Sequence, residues 1–278
     1  MTDLSSEDSY KFNILSTLQK KNGDAIGPKF PFRLERGRYT VRTIGLQKEL
    51  EEVLRLRYRV FSREYGIQSA NAIDIDDLDF LCDHLIVTKD EKIIGTYRLI
   101  SSAYSQLFYS QREFQMDPFF NLAGNKLELG RLCIHEEYRN GVVISLLWKG
   151  VIEYARMSGS RYLFGCSSIR TTDLLETAVI VRHMMDQNFT MKELSLGTQP
   201  DYRVHRLQDA IDSLDRPGFE RDAYPILQKI PPLLTSYLKA GAKVFAEPAL
   251  DAEFSCIDFL TVFEPNQMSE FFGRRYQI

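Results

Sequence analysis

The sequence predicts a mixed α/β fold in one domain, and three observations support that prediction. Strand-like alternation and helical spacing of apolar residues follow one another from residue 38 onward. Hydrophobic residues make up 44% and charged residues 26% of the 278-residue chain, which is an ordinary globular balance. No repeat or low-complexity segment breaks the pattern. We therefore expect an N-terminal arm over residues 1–37 and a single domain over residues 38–278.

The first half of this domain contains a strand, a helix and a hairpin. Residues 38–44 (RYTVRTI) alternate in the way that a strand does. An acidic loop over residues 67–82 precedes two strands, which lie within residues 83–100 and are joined by a turn at residues 89–91. The helix between the first strand and the loop ends at Gly66, and its apolar side chains recur at helical spacing: Leu50, Val53, Leu54, Tyr58, Phe61 and Tyr65.

The middle of the chain alternates strands with helices. Residues 126–135 (KLELGRLCIH) are typical of a buried strand, and a helix is predicted over residues 142–157. RYLFGCSSI, residues 161–169, predicts the next strand. TDLLETAVIVRHMMDQ then predicts a helix for which Thr171 or Thr172 would be the cap.

The last third of the chain is less regular. Residues 195–222 are polar and predict an irregular segment. Residues 223–241 predict a helix that restarts at its proline pair, because proline suits the first turn of a helix. Residues 242–251 and 256–265 predict two closing strands.

Charge and cysteine usage argue against several functions. The net charge of −3 gives no global basic field, so we expect no nucleic-acid partner. No pair of cysteines has CxxC spacing, which argues against a zinc site or a redox pair. The cysteines have apolar neighbours and are predicted to be reduced core thiols: Cys82, Cys133, Cys166 and Cys256.

The sequence predicts neither a signal peptide nor a membrane span. The first residues, MTDLSSEDSYKF, are acidic and polar, whereas a signal peptide has a basic and then an apolar region. No apolar run reaches the ~18 residues that a spanning helix needs. We expect a cytoplasmic protein, and a peripheral contact with the inner membrane stays open.

Arg57 is the first residue that stands out for its chemistry. It lies between Leu54 and Phe61 on the apolar stripe of its predicted helix. A buried arginine needs a carboxylate or phosphate partner, but an arginine can also extend its guanidinium to solvent. Both interpretations stay open for Arg57. Its neighbours on another face, such as Arg63, are expected to be solvated.

The acidic loop offers partners for such an arginine. It leads into the next strand with carboxylates at Asp74, Asp76, Asp77, Asp79 and Asp83. A solvated loop is the common explanation, and the spacing does not match a calcium-binding loop. A further interpretation is that one or two of these aspartates meet Arg57 or hold a cationic substrate.

Three charged residues occupy otherwise apolar strands: Arg98, Glu128 and Arg131. Charges in such positions destabilise a fold unless they are paired, so they indicate either a structural ion-pair network or a polar pocket. Simple alternation puts Glu128 and Arg131 on opposite faces. If both line one pocket, the strand needs a β-bulge, which we expect close to Gly130 because glycine tolerates unusual backbone angles.

Several segments of the sequence occur in the order found in one known family. They resemble the ornithine–acyl carrier protein N-acyltransferases of ornithine-lipid synthesis, which belong to the GNAT superfamily. The resemblance covers about residues 39–264 and extends to the acyl-homoserine-lactone synthases. Together with the acidic loop, the segments that carry it include LRLRYRVFSREYG, CDHLIV, GTYRLI, ELGRLCIHEEYRNG, LLWKGVIEYA and RYLFGCSSI.

The resemblance implies a fold and a set of site residues. The fold is a single GNAT-like domain whose mixed, mostly antiparallel central sheet has splayed strands and is flanked by helices. Ile67 stands near the place where the lactone synthases carry a tryptophan, which distinguishes this chain from them. The residues implied to line the active site are Arg57, Phe61, Asp76, Asp79, Arg98, Glu128 and Arg131.

The family's reaction implies roles for some of these residues. Glu128 is the expected base, acting directly or through a water molecule on the attacking amine. Arg131 would orient Glu128 or the substrate carboxylate. Backbone amides near Cys133 and Ile134 would stabilise the oxyanion of the tetrahedral intermediate.

The segment YRNGVV is the expected binding site of the acyl donor. Acetyltransferases of the superfamily hold the pyrophosphate of coenzyme A on a glycine-rich loop at a helix N-terminus, and Arg139 with Gly141 matches that loop only in part. A phosphopantetheine thioester on an acyl carrier protein has a single phosphodiester and suits so short a loop. Lys149 and Arg156 share a helix face and are expected, with Arg139, to bind the acidic carrier.

The expected function is transfer of a fatty acyl group from acyl carrier protein to the amine of an ornithine-like amino acid, as the first step of aminolipid synthesis. The expected partners are acyl carrier protein and an amino acid or small amine, with no bound cofactor. One alternative is an acyl- or acetyl-coenzyme A-dependent enzyme, or a lactone-type synthase, on the same fold. The other is a non-catalytic module that binds acyl carriers or lipid.

Overall fold

The mixed α/β fold predicted from the sequence is confirmed by a computed structural model, which describes residues 25–191, 194, 196–219 and 225–267. In this part of the chain the strands are β1 (Arg33–Arg36), β2 (Tyr39–Thr43), β3 (Asp83–Lys89), β4 (Lys92–Ser101), β5 (Asn125–Ile134), β6 (Ser160–Ile169), β7 (Lys243–Val244), β8 (Ala249–Asp251) and β9 (Cys256–Phe263). The helices are α1 (Gln47–Tyr65), α2 (Asp117–Phe120), α3 (Val142–Met157), α4 (Leu174–Asp186), α5 (Leu207–Ser213), α6 (Ile226–Lys229) and α7 (Pro232–Ala240).

The described residues form two compact units. Unit 1 contains the residues up to Gln106 together with Leu127–Ser160, and unit 2 contains Leu107–Lys126 and the residues from Arg161 onward. Most of the predicted N-terminal arm lies outside the described residues. The single-domain boundary at residue 38 and the splaying of strands stay predictions.

The sheet of unit 1 has five antiparallel strands in the order β1, β2, β3, β4, β5. The sequence does not predict β1, whose side chains are all exposed and therefore carry no burial pattern. The hairpin of β3 and β4 is confirmed, with its turn at Asp90 and Glu91. Both residues have positive φ angles, of 50° and 68°, as two-residue hairpin turns often require.

The ranges predicted for two helices of unit 1 are confirmed by the structure. Helix α1 ends at Gly66, whose φ of 74° is left-handed, and glycine suits that conformation. Helix α3 packs on the sheet through Gly150, where an added Cβ would lie 2.7 Å from Val41 and 2.8 Å from Leu85. This close approach leaves no room for a side chain at residue 150.

Unit 2 is built around β9, which pairs antiparallel with β6, β7 and β8. One face of β9 carries Ile257 and Phe259, which belong to a hydrophobic core shared with the helices of this unit. The restart of the helix at the proline pair is confirmed, because α6 ends at Lys229 and α7 begins at Pro232.

Three predictions for unit 2 are corrected by the structure. The cap of α4 is Asp173, which accepts the Glu176 N–H at 2.8 Å, and the prediction of Thr171 or Thr172 is wrong. The segment 195–222, predicted to be irregular, contains helix α5, which is too short for its apolar spacing to stand out among polar residues. The strand predicted over residues 242–251 is divided into β7 and β8.

Two expectations from composition can be compared with the described residues. All four cysteines are free, as predicted, and Cys166 alone among them is half-buried rather than buried. No helix in the described part of the chain is long and apolar enough to cross a membrane.

Candidate active site

Helix α1 places Arg57 inside unit 1, where its side chain is 1% exposed. Its Nη1 donates to Asp79 Oδ1 at 2.5 Å, and its Nη2 donates to Asp79 Oδ2 at 3.1 Å. Its Nε donates to Asp74 Oδ2 at 2.6 Å. The open question about Arg57 is therefore resolved: the guanidinium is buried and paired instead of reaching solvent.

The acidic loop folds so that two of its carboxylates, those of Asp74 and Asp79, point at this arginine. Asp76 caps a short 3-10 helix, Asp77–Phe80, by accepting the Leu78 N–H at 2.9 Å. The Asp79 carboxylate accepts the Asp76 N–H at 2.9 Å, which fixes it beneath the cap. Asp77 is exposed, so only part of the acidic run is a solvated loop.

Strand β4 brings a second arginine to the same carboxylates. Arg98 Nη1 donates to both oxygens of Asp76 at 2.7 Å and lies 3.4 Å from Asp79 Oδ1. Its side chain is 2% exposed, so this pair is shielded from water. Asp79 thus bridges Arg57 and Arg98.

Strand β5 supplies the third arginine through a β-bulge. Arg98 pairs with Gly130 and Thr96 with Cys133, so β5 has one residue more than β4 between these two pairs. The prediction of a bulge close to Gly130 is confirmed, but the residue with the positive φ angle, of 52°, is Arg131. Its guanidinium lies 3.3 Å from Asp76 Oδ2, and its carbon is 5.9 Å from the centre of the Phe61 ring.

We call this group the ion-pair network, and it contains Arg57, Asp74, Asp76, Asp79, Arg98 and Arg131. Burial by itself raises the pKa of Asp79, but the neighbouring Arg57 and Arg98 outweigh it and hold that pKa far below its usual value. The pKa of Asp76 is lowered too, because Arg98 and Arg131 outweigh burial and the repulsion of Asp79. These carboxylates are ionised, and arginines occupy their oxygens, so we place no substrate cation on them.

Glu128 lies on the same face of the sheet as Arg98. Residues directly opposite each other on paired strands share a face, and Glu128 is opposite Ile100, two residues from Arg98. Arg131 reaches Asp76, a partner of Arg98, so the bulge has brought Arg131 to this face as well. Glu128 is buried, with 3% of its surface exposed.

The residues expected at the oxyanion follow the bulge on β5. Cys133 lies opposite Thr96, and Ile134 lies opposite Gly95. Burial raises the pKa of the Cys133 thiol, so Cys133 is no thiolate nucleophile at neutral pH. The prediction for the oxyanion concerns only the backbone amide of Cys133 and not its thiol.

The segment before α3 has an ordered structure of its own. Arg139 Nε donates to the Ile134 carbonyl at 3.0 Å, and its Nη2 lies 2.5 Å from Glu64 Oε1. Gly141, the N-cap of α3, has a left-handed φ of 87°, and the Asn140 side chain accepts the Val142 N–H at 3.1 Å. Lys149 lies along α3 and is half-buried.

Sequence reasoning did not select Asp74 or His84 as site residues. Asp74 contacts Arg57 and also lies 3.4 Å from Arg131 Nε. The sequence shows that Asp74 belongs to the acidic run. No pattern in that run distinguishes Asp74, which meets an arginine, from Asp77, which is exposed. His84 Nε2 is 3.0 Å from the Asp79 carbonyl, and burial is the main reason that its pKa is lowered.

Comparison with known proteins defines the class. A family model described as an acetyltransferase (GNAT) domain matches residues 56–149, which include the ion-pair network and the start of α3. The chain therefore contains a domain of the GNAT class.

Relatives with curated functions define the family within that class. An L-ornithine N(alpha)-acyltransferase of Rhizobium meliloti (strain 1021) is 30% identical over 80% of this chain and 78% of its own. One of Brucella abortus (strain 2308) is 30% identical over 84% of this chain and 86% of its own. The chain belongs to the family of L-ornithine N(alpha)-acyltransferases.

Solved structures include more distant neighbours. An N-acyl amino acid synthase from uncultured soil microbes is 12% identical and matches 84% of this chain and 92% of its own, with a TM-score of 0.40.

Proposed function

We propose that this chain transfers a fatty acyl group from the phosphopantetheine thioester of an acyl carrier protein to the α-amine of ornithine or a similar amino acid. Membership of a family whose curated members are named L-ornithine N(alpha)-acyltransferases supports the acceptor. The single structural observation that carries the site is the bulge that brings Arg131 to the face of Arg98 and Glu128.

The chemistry requires a free amine and a stabilised oxyanion. The amine nitrogen attacks the thioester carbonyl, a C–N bond forms, and the C–S bond then breaks to release the pantetheine thiol. Glu128 is the proposed base, which removes the ammonium proton directly or through water. Amides near Cys133 and Ile134 are proposed to stabilise the oxyanion.

Arg131 is the arginine of the ion-pair network that is best placed to meet the substrate. Its side chain is 14% exposed, whereas those of Arg57 and Arg98 are 1% and 2% exposed. We propose that Arg131 binds the substrate carboxylate or orients Glu128. Arg57, Phe61, Arg98, Asp76 and Asp79 are positioning residues in this scheme, because they hold the loop and the bulge in place.

The donor is proposed to dock on α3 and the segment before it. Arg139 and Arg156 are exposed but already paired, with Glu64 and Glu153, so an acidic carrier would exchange those partners for its own carboxylates. The backbone around Gly141 would receive the pantetheine phosphate at the helix N-terminus. An acylated product has an apolar chain, so its release at the inner membrane surface is part of the proposal.

A reconstituted assay tests the proposal. Acyl carrier protein and coenzyme A carrying the same acyl chain are offered with ornithine, and the product is identified by mass spectrometry. We expect acyl-ornithine from the carrier protein at a rate that falls as salt rises, since exposed charges are screened. A preference for acyl-coenzyme A, or a rate that is flat in salt, contradicts the donor assignment.

Variants then test the base. Glu128→Gln is expected to lower kcat by about 10²–10⁴-fold without changing the affinity for the acyl carrier. Arg63→Ala is the control, because Arg63 is an exposed arginine of the same helix as Arg57. Equal activity of Glu128→Gln and the unchanged protein contradicts the role of Glu128.

A further inference from the structure

The segment before β1 is fixed to the rest of unit 1 by one buried carboxylate, which the proposed reaction does not use. Asp83 begins β3, directly after the acidic loop, and its side chain is 2% exposed. The carboxylate accepts the Lys29 N–H at 2.9 Å and the Phe30 N–H at 3.2 Å. It also accepts a hydrogen bond from the Tyr154 hydroxyl at 2.8 Å. Asp83 therefore joins the N-terminal segment to both β3 and α3.

Two tyrosines pack around the Phe30 ring at the same place. The ring meets Tyr154 edge-on with 5.3 Å between the ring centres, and its centre is 6.2 Å from that of Tyr104. The Tyr104 hydroxyl donates to the carbonyl of Leu99, which is opposite Asp83 in the pair of β3 and β4, at 2.9 Å. Burial raises the pKa of Tyr154, so its hydroxyl keeps the proton that it donates to Asp83. The segment is thus held by aromatic packing as well as by hydrogen bonds.

We call this group the clasp, and it contains Lys29, Phe30, Asp83, Tyr104 and Tyr154. A carboxylate that accepts two successive backbone N–H groups fixes the direction of the chain there, because both donors must point at one acid. The Lys29 ammonium also donates to the Cys82 carbonyl at 3.4 Å. Earlier in the segment, the Ile26 N–H donates to the Gly45 carbonyl at 2.9 Å. The segment is therefore attached at two places.

The residues on either side of Asp83 meet the ion-pair network. His84 Nε2 lies 3.0 Å from the Asp79 carbonyl, and Cys82 Sγ lies 3.2 Å from His84 Nε2. His84 is also opposite Arg98 on β4. Side chains alternate along a strand, so Asp83 and His84 point to opposite faces of the sheet. The start of β3 is therefore held from one face by the clasp and from the other by the ion-pair network.

We propose that the clasp positions the acidic loop for acyl transfer, with Asp83 as a positioning residue that acts through the ion-pair network. This inference rests on the proposed function. Release of the clasp removes one of the two supports of β3, so the His84 contact that holds Asp79 becomes loose. Asp76 and the Arg131 bulge are displaced with the loop, because Asp76 bonds to Arg131. A misplacement of about 1 Å in an active site can lower the rate by about a hundredfold.

Amide hydrogen exchange tests the coupling between the clasp and the loop without any activity measurement. Full-length Phe30→Ala is compared with the unchanged protein by mass spectrometry of peptides that cover residues 74–82. We expect these amides to exchange at least about tenfold faster in the variant, because the loop opens more often. Leu34→Ala removes an exposed apolar side chain of β1 and should leave their exchange unchanged. Unchanged exchange of residues 74–82 in Phe30→Ala overturns the proposal.

Kinetics separate positioning from mere stability. Per folded molecule, Asp83→Ala and Phe30→Ala should each lower kcat by about ten- to a hundredfold, and KM should change by less than about threefold. Both changes release the same clasp, so the double variant should be no slower than the slower single variant. Unchanged kcat in both single variants, or a double variant whose loss is the product of the two single losses, contradicts this role.

Asp83→Asn guards against a variant that fails to fold. The donors of Lys29, Phe30 and Tyr154 all reach Oδ2 of Asp83, and the amide oxygen of asparagine can replace that atom. Asp83→Asn should therefore keep at least about three times the kcat of Asp83→Ala. Equal losses of kcat in these two variants contradict the clasp.

The two measurements also separate this inference from the proposed function. Absence of acyl transfer to ornithine by the unchanged protein contradicts the proposed function, and hydrogen exchange then decides by itself whether the clasp holds the loop. Acyl transfer by the unchanged protein with no loss in Phe30→Ala and Asp83→Ala contradicts the clasp alone.

Discussion

The ion-pair network of unit 1 and a group of buried acids in unit 2, Glu113 with Asp251 and Asp258, both bury carboxyl groups, but they stabilise them differently. In the ion-pair network three aspartates meet three arginines, and the pKa of Asp79 stays far below its usual value despite burial. In unit 2 burial and the repulsion of Asp258 raise the pKa of Glu113 to about 9. A buried acid is thus either an anion fixed by arginines or an acid that keeps its proton.

Removing an arginine from the ion-pair network should have the largest effect. Arg57→Ala leaves the buried carboxylate of Asp79 and the partly buried one of Asp74 without a main partner, and such a break costs about 3–5 kcal/mol. Acyl transfer should be abolished, because the loop and the bulge lose their anchor. Urea unfolding and the acyl-transfer assay measure both effects.

The control for this variant lies on the same helix. Arg63 is exposed and pairs with Glu136, so Arg63→Ala should cost less than about 1 kcal/mol and retain most of the activity. If Arg57→Ala and Arg63→Ala lose the same stability and activity, the distinction between a buried and a solvated arginine fails.

The same chemical change in both groups sharpens the comparison. Asp79→Asn removes the carboxylate that bridges Arg57 and Arg98, so we expect a loss of about 3 kcal/mol or more. Glu113→Gln should change stability by no more than about 1 kcal/mol at neutral pH, because the raised pKa of Glu113 already keeps that carboxyl group uncharged. Denaturant midpoints of the two variants, measured under the same conditions, test this expected difference in stability. Similar losses of stability in Asp79→Asn and Glu113→Gln contradict it.

Acid should weaken unit 1 through its aspartates. The pKa values of Asp76 and Asp79 are lowered in the folded state from an ordinary value of 3.8. The unfolded chain therefore takes up protons first, and the stability that these groups contribute is complete above about pH 4 and is lost as the pH falls below it. Unfolding free energies between pH 3 and 6 test this prediction. The fall in stability should be weaker in Asp79→Asn, and an equal fall in both proteins contradicts it.

The smallest effect is expected at the bulge. The left-handed residue is Arg131, and an added Cβ on Gly130 would meet nothing closer than Arg98 Nε at 3.7 Å. Gly130→Ala should therefore change stability by less than about 1 kcal/mol, and could raise it. Gly141→Ala is the matched control, because its φ of 87° should cost about 1–2 kcal/mol in a residue with a Cβ. If thermal unfolding shows that Gly130→Ala is less stable than Gly141→Ala, the assignment of the left-handed conformation to Arg131 and not to Gly130 is contradicted.

Much of the fold was readable from local patterns. Helix α1 and helix α3 have the ranges that apolar spacing and Gly66 predicted, because these patterns act over a few residues. Strand β1 and helix α5 were missed, since one has no buried side chain and the other is only seven residues long.

The sequence by itself determined that Arg57 lies on an apolar stripe near an acidic run, and that the strand charges of β4 and β5 need partners. Only the tertiary structure decided which aspartate meets which arginine, and that Asp74 is a partner while Asp77 faces solvent. It also brought Glu113 to Asp258 across a long stretch of chain. The reason is physical: spacing along the chain fixes faces of helices and strands, whereas pairing of charges depends on which faces pack together.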